Sequence, residues 1–202
     1  MALYEKLLEI TGGKERIKYF IESFLPEFEK PADYEGFIKN LHLVKTSHYT
    51  AMLREGLIPL RPGIKQLIDD ARQAGIALAI ATTTSPENVA TLLQQGLGLD
   101  SESWFAAIGC GDIVPHKKPS PDIYCWVLER LRIDASDSIA LEDSENGLCA
   151  SMAAGVKTFI ITIHYTRNQD FTGAAAVFDG LDDLECFYRT AGLPLSKPAI
   201  SV

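Results

Sequence analysis

Several broad classes of protein are excluded by what this sequence has little of. Its 202 residues hold four cysteines, Cys110, Cys125, Cys149 and Cys186, widely spaced, with no CxxC pair and no histidine nearby at metal-ligand spacing. That argues against a zinc site or a disulfide framework, and for reduced thiols in a cytoplasmic protein. No apolar run approaches the roughly 20 residues that a membrane-spanning helix needs, and the opening MALYEKLLEI reads as an amphipathic helix rather than a signal peptide. Basic residues are in the minority: 19 Lys and Arg against 27 Asp and Glu leave a formal net charge of -8. Bulk charge of that sign does not suit nucleic acid or an anionic membrane, so any phosphate must be held in a local basic pocket. Repeats and low-complexity stretches are absent as well. What is there, 47% hydrophobic and 23% charged residues, suffices for a packed core.

Residues 1–56 carry helical periodicity only. Ile17, Phe20, Ile21 and Phe24 share one helix face, and Phe37, Ile38, Leu41 and Val44 share another until Gly56 ends the pattern. From Leu57 the chain alternates helices with short apolar runs: IALAIAT (76–82), AAIGC (106–110), SIALE (138–142), VKTFIIT (156–162) and AAAVF (174–178). Helices are expected from Pro62, from Pro86 behind a Ser85 cap, from Ser120-Pro121, over ENGLCASMAAG, and from Asp182 to about Ala191. This alternation predicts an α/β fold with a doubly wound parallel sheet over 57–202 and a small helical unit over 1–56.

In open α/β sheets ligands bind beyond the carboxyl ends of the strands. The first run there ends in Thr82-Thr83-Thr84-Ser85, the second leads into Asp112 and His116-Lys117-Lys118-Pro119, and SIALE ends in Glu142-Asp143-Ser144. Hydroxyls, a lysine and a carboxylate pair at one sheet edge are what a Mg²⁺-dependent phosphoryl-transfer site requires. The carboxylates suit a hard cation, the lysine neutralises phosphate oxygens, and a hydroxyl orients the group. Lys14 and Arg16 follow Gly12-Gly13 in the first turn of a helix, where positive charge opposes the helix dipole and points to a nearby anion. Arg61, beside Pro62, is a second candidate for that anion. Plainer readings stand beside these. The threonines could cap the helix after Pro86, and Asp143 could cap the helix that follows it. Lys117 is expected at the surface, and His42, His48, His116 and His164 are assigned to surface or packing.

The strand ending in ALAIATTTS, the helix opened by KKPSPDIY and the strand ending in IALEDSENGL resemble, in that order, the haloacid-dehalogenase superfamily of phosphohydrolases. The likeness is to its cap-bearing branch of CbbY-like sugar-bisphosphate phosphatases, phosphoglycolate phosphatases and β-phosphoglucomutases, with TGGKERI similar to that branch's cap loop. The resemblance implies Thr82 as the phosphate-orienting hydroxyl and Lys118 as the neutralising lysine. It implies Asp143, with Glu142 beside it, as the holder of Mg²⁺, directly or through water, and Lys14, Arg16 and Thr83 as substrate-facing. The implied activity is hydrolysis of a small phosphorylated sugar or acid through an aspartyl-phosphate, with no role for nucleic acid or membrane. Mutase activity on sugar phosphates is the nearest alternative, and a non-catalytic fragment or pseudoenzyme is another. The family's nucleophile stands in an N-terminal DxDGT motif on a central strand, and the sequence contains no such motif; Asp179-Gly180 is only superficially similar. No nucleophile is therefore assigned, and the chain as given is expected to be inactive. That strand would lie between IALAIAT and SIALE, so two open sheet edges, offering a route to self-association, are expected.

Overall fold

The computed structural model describes residues 2–193; Met1 and residues 194–202 of the expected second unit lie outside the described residues. Three helices come first: α1 (Ala2–Leu8), α2 (Gly13–Phe24) and α3 (Tyr34–Arg54). Asp33 fixes where α3 starts, its carboxylate accepting the Gly36 N–H at 2.9 Å, one of the otherwise orphaned donors of a helix start. Ile38 and Leu53 on α3 and Ile21 on α2 are buried where α3 packs between α2 and α5 (Pro86–Leu97).

The remaining elements alternate: α4 (Ile64–Gln73), β1 (Leu78–Ala81), α5, β2 (Phe105–Gly109), α6 (Asp122–Leu131), β3 (Ile139–Glu142), α7 (Glu145–Ala153), β4 (Lys157–Ile161), β5 (Ala176–Phe178) and α8 (Leu184–Ala191). All pairings are parallel, as the alternation predicts: β1 with β2, β3 with β4, and β4 with β5. The sheet is divided. Among the described residues β1-β2 and β3-β4-β5 form separate sheets, and no strand pairs the second edge of β1 or of β3.

Several boundaries differ from the sequence reading for local reasons. The helix expected from Pro62 starts at Ile64, because Gly63 at its N-cap takes φ +79°. A β-carbon on Gly63 would come within 2.3 Å of the Leu181 carbonyl oxygen, so close approach as well as φ requires glycine there. The last helix starts at Leu184 rather than Asp182 because Asp183 caps it, accepting the Cys186 N–H at 2.9 Å. The core lies on both sides of β4, whose Phe159, Ile160 and Ile161 are all buried. Phe159 meets Phe187 of α8 edge to face at a centroid distance of 5.7 Å, and Leu181 and Tyr188 close that cluster. Ile123, Tyr124, Ala140, Ala150 and Val156 form a second cluster between α6, β3 and α7. No described helix is long and apolar enough to cross a membrane, and all four cysteines are free.

Candidate active site

The residues that end β1 and β3 meet through one lysine. Lys118 Nζ donates to the Ala81 carbonyl at the end of β1 at 3.0 Å and pairs with the Glu142 carboxylate at the end of β3. It thus spans the division between the two sheets. Both partners are largely shielded from solvent, with 11% and 9% of their side chains exposed. Tyr124, six residues on from Lys118 and on α6, donates its hydroxyl to the same Glu142 oxygen. Burial and the adjacent Glu142 charge push the Tyr124 hydroxyl far above its ordinary range, so it stays protonated and remains a donor. Gly147 makes room for Glu142: a β-carbon there would come within 2.0 Å of Oε2.

Asp143 follows without such a partner. Burial, and then the charge of Glu142, raise its carboxyl above the ordinary range, against the opposing charges of Arg61 and Lys118. Nor is it spent as a helix cap. Ser144 holds that position at α7 and accepts the Gly147 N–H at 3.3 Å, which removes the plainer reading of Asp143. Among the described residues there is no cluster of three His, Cys, Asp or Glu fit to hold a metal ion. Mg²⁺ requires less, since it keeps several waters and takes one or two carboxylates together with phosphate oxygens. Asp143 fits such a donor, whereas Glu142 already serves Lys118 and Tyr124.

The threonine loop folds back on itself. Thr82 extends the β1-β2 ladder through its N–H to Gly109 O at 2.9 Å, and its hydroxyl accepts the Thr84 N–H at 3.3 Å. Asn88 Nδ2 donates to Thr84 Oγ1 at 3.3 Å, and Thr50 of α3 donates to Asn88 Oδ1 at 3.1 Å, so a polar chain ties α3 to this loop. The expected Ser85 cap is not made. Ser85 holds the N-cap position, yet its hydroxyl is buried and finds no partner among the described residues.

Two cavities of about 310 and 350 Å³ open beside this loop and share Thr82, Thr83 and Arg16 in their walls. The smaller also holds Lys118, Glu142 and Asp143, so six of the residues singled out by sequence converge there, Thr82, Thr83 and Arg16 included. The larger is lined by Lys14 and, from α3, by Lys39, His42 and Lys45. The assignments of Lys117, Arg61 and His42 need correction. Lys117 is not a solvated lysine: its side chain is 19% exposed and reaches Glu15 at 2.8 Å and Asp112 at 3.2 Å. Lys14 reaches the same Asp112 at 3.1 Å, and the two lysine bonds hold that carboxyl below its ordinary range. Arg61 does not join the anion pocket, because its guanidinium donates to Ile161 O at 2.9 Å and Thr162 O at 2.7 Å and ties down the end of β4. His42 faces the larger cavity rather than solvent or core alone. Arg16 does line both cavities, but its Nε and Nη2 are also bound to Ile10 O at 3.2 and 3.1 Å.

Sequence reasoning missed Tyr124, which sits on the buried face of α6 and so reads as ordinary core. Its only signal was position, two turns beyond Lys118. The row of basic groups on α3 was legible only as solvated helix charge.

Parallel strands with polar residues gathered around a cavity at their carboxyl ends define an α/β protein whose site lies at that sheet edge. A family model described as haloacid dehalogenase-like hydrolase matches residues 10–155, and the chain belongs to that family. It is 44% identical over 181 residues to the plasmid-encoded protein CbbY of Cupriavidus necator, covering 90% of this chain and 71% of that protein. With protein CbbY of Cereibacter sphaeroides it shares 42% identity over 195 residues, 96% of this chain and 81% of that one. The crystal structure of CbbY from Rhodobacter sphaeroides in complex with phosphate superposes with a TM-score of 0.80 at 43% identity, covering 90% of this chain and 78% of that chain. A mutant of that CbbY has been solved in complex with xylulose-(1,5)bisphosphate, with the same TM-score of 0.80.

Proposed function

We propose that these residues form most of a Mg²⁺-dependent phosphatase site for a small phosphorylated sugar, with a sugar bisphosphate as the preferred ligand. One observation carries the reading: Lys118 is pinned between Ala81 O and Glu142 where β1 and β3 end, beside an Asp143 carboxylate that forms no ion pair among the described residues. Magnesium would supply charge neutralisation of the phosphoryl oxygens, with Asp143 as its protein ligand and Glu142 keeping Lys118 in place. Lys118 offsets the charge that builds up in phosphoryl transfer, and Thr82 orients the group with its hydroxyl. Tyr124 and Lys118 together hold Glu142 in one orientation. The attack on phosphorus, giving an aspartyl-phosphate, needs a free carboxylate facing the smaller cavity, and none of these 202 residues is assigned to it. The 202-residue chain therefore binds without turning over.

The preference for two anionic groups is supported by the excess of basic side chains around the larger cavity and by the bisphosphate held by the related CbbY. Lys14 is the substrate-facing cation with least structural duty, since its one ion pair, to Asp112, is well exposed. Lys14→Ala is expected to weaken xylulose 1,5-bisphosphate binding by about 10-fold, some 1.4 kcal/mol, and to leave phenyl phosphate binding nearly unchanged. Isothermal titration calorimetry of both ligands measures this. Equal losses on the two would show that the 12–16 loop is structural and that the larger cavity has no part in recognition.

A further inference from the structure

His42 occupies a place that the sequence has cleared for it. A β-carbon on Gly13 would come within 2.4 Å of its Nε2 and 2.5 Å of its Cδ2, so the ring fits against the start of α2 only because residue 13 is glycine. The ring lines the larger cavity, and its nitrogens make no hydrogen bond among the described residues. One turn further along α3, the buried Thr46 hydroxyl also lines the cavity and also has no partner among the described residues. Two polar groups without partners in one wall point to a polar occupant.

The charges around the ring give that occupant its sign. Lys45 on α3, Lys14 on α2 and Lys117 ahead of α6 all bear on the imidazole, and Glu15 alone opposes them nearby. Arg16 on α2 and Lys39 on α3 also line the cavity, with Asp112 and Glu87 as the acidic groups. Asp112 already serves Lys14 and Lys117, and Lys39 has no carboxylate partner among the described residues. Burial first, and then the charges of Lys45 and Lys14, hold the imidazole below its ordinary range, so it is neutral in the free protein at pH 7. An anion seated among these cations cancels their repulsion and offers an acceptor to the ring, which reverses the shift.

We infer that His42 is a specificity-determining residue of this cavity, contributing a second donor and a full positive charge only when a dianion enters. This rests on the reading of the cavity as an anion site. The proton comes from solvent and stays on the imidazole while the ligand is bound. Affinity for a dianion then rises as pH falls from above the bound-state pKa toward the depressed free-state value. A group with less charge recovers less of the repulsion, so the ring discriminates by ligand charge.

Sulfate is the probe, because it keeps two negative charges throughout the range and any proton taken up belongs to the protein. Calorimetric titration of the 202-residue chain in two buffers of different ionisation enthalpy reads affinity and proton uptake together. Sulfate affinity is expected to fall about 10-fold between pH 5.5 and 7.5, with net proton uptake at pH 6.5. His42→Gln is expected to show a flat profile and no uptake. On the wild-type chain, the His42 imidazole resonance should shift toward its protonated position when sulfate is added at pH 6.5, which keeps the test open even if the variant folds poorly. Sulfate binding without uptake, or uptake that persists in His42→Gln, overturns the inference about His42 alone. Failure of sulfate to bind at any pH overturns the anion reading beneath it.

Discussion

Lys118→Ala is expected to destabilise the chain by about 3–5 kcal/mol, the scale for removing one member of a buried ion pair. The substitution leaves the Glu142 carboxylate buried beside Asp143 with only Tyr124 as a donor, and it also frees the Ala81 carbonyl at the end of β1. Two carboxylates that cannot both ionise cheaply then sit at one strand end. Adding Glu142→Gln should recover most of the loss, because the stranded charge is removed with it. Lys117→Ala is the control. Its partners Glu15 and Asp112 are 45% and 67% exposed, so water replaces the lost pairs and the cost should not exceed about 1 kcal/mol. Urea unfolding of the four proteins decides the matter. Similar losses for Lys117→Ala and Lys118→Ala would mean that Lys118 does not hold the two strand ends together.

The second large effect concerns Asp143 and its cation. Its carboxyl is raised in the folded chain above the unfolded value, so the native state holds that proton more tightly than the unfolded state does. Stability from this group is therefore present at low pH and is lost as pH rises from the unfolded pKa through the folded one. Asp143→Asn should be more stable than wild type at pH 7 without metal, and the advantage should vanish below about pH 4, near the unfolded value. On the proposed reading of the site, magnesium should reverse the order. At a hundredfold excess over its Kd the ion should stabilise wild type by about 2.7 kcal/mol, raising the melting temperature by about 5–10 °C for a chain of this size. The asparagine variant should not respond. Thermal melts at pH 4 and pH 7, with and without Mg²⁺, test both signs. Equal magnesium shifts in the two proteins would place the cation elsewhere.

These two residues also show how far a sequence can be read. Lys118 and Asp143 stand out because each follows an apolar run and precedes a helix, and chain geometry alone then sends them to one sheet edge. Lys117 and Lys118 are neighbours with opposite surroundings, and no periodicity separates them: one turns toward Glu15 of α2, the other toward Glu142 of β3. Ser85 and Ser144 pose the same problem. Each stands at an N-cap, yet of the two only Ser144 makes the capping bond, while the Ser85 hydroxyl is buried with no partner among the described residues. Local rules rank those two alike, and tertiary surroundings decide between them. His42 was out of reach for a different reason. Its partners in the cavity wall come from residues 14, 82–85 and 117, and only the packing of α3 on α2 and α5 brings them together. The open edges of β1 and β3 could be anticipated through the family resemblance, because strand order, unlike strand identity, is not encoded in local pattern.

On the proposed reading, this chain holds a phosphate-binding and cation-binding site without the carboxylate that attacks phosphorus. Phosphate release from xylulose 1,5-bisphosphate and from an aryl phosphate, with Mg²⁺ and the purified 202-residue protein, tests it most directly. The account predicts release no faster than the uncatalysed background for both substrates, from a protein that calorimetry shows to bind the bisphosphate. Turnover that depends on Mg²⁺, stops on chelation and is lost in Asp143→Asn would contradict it, because a nucleophile would then have to exist among these residues.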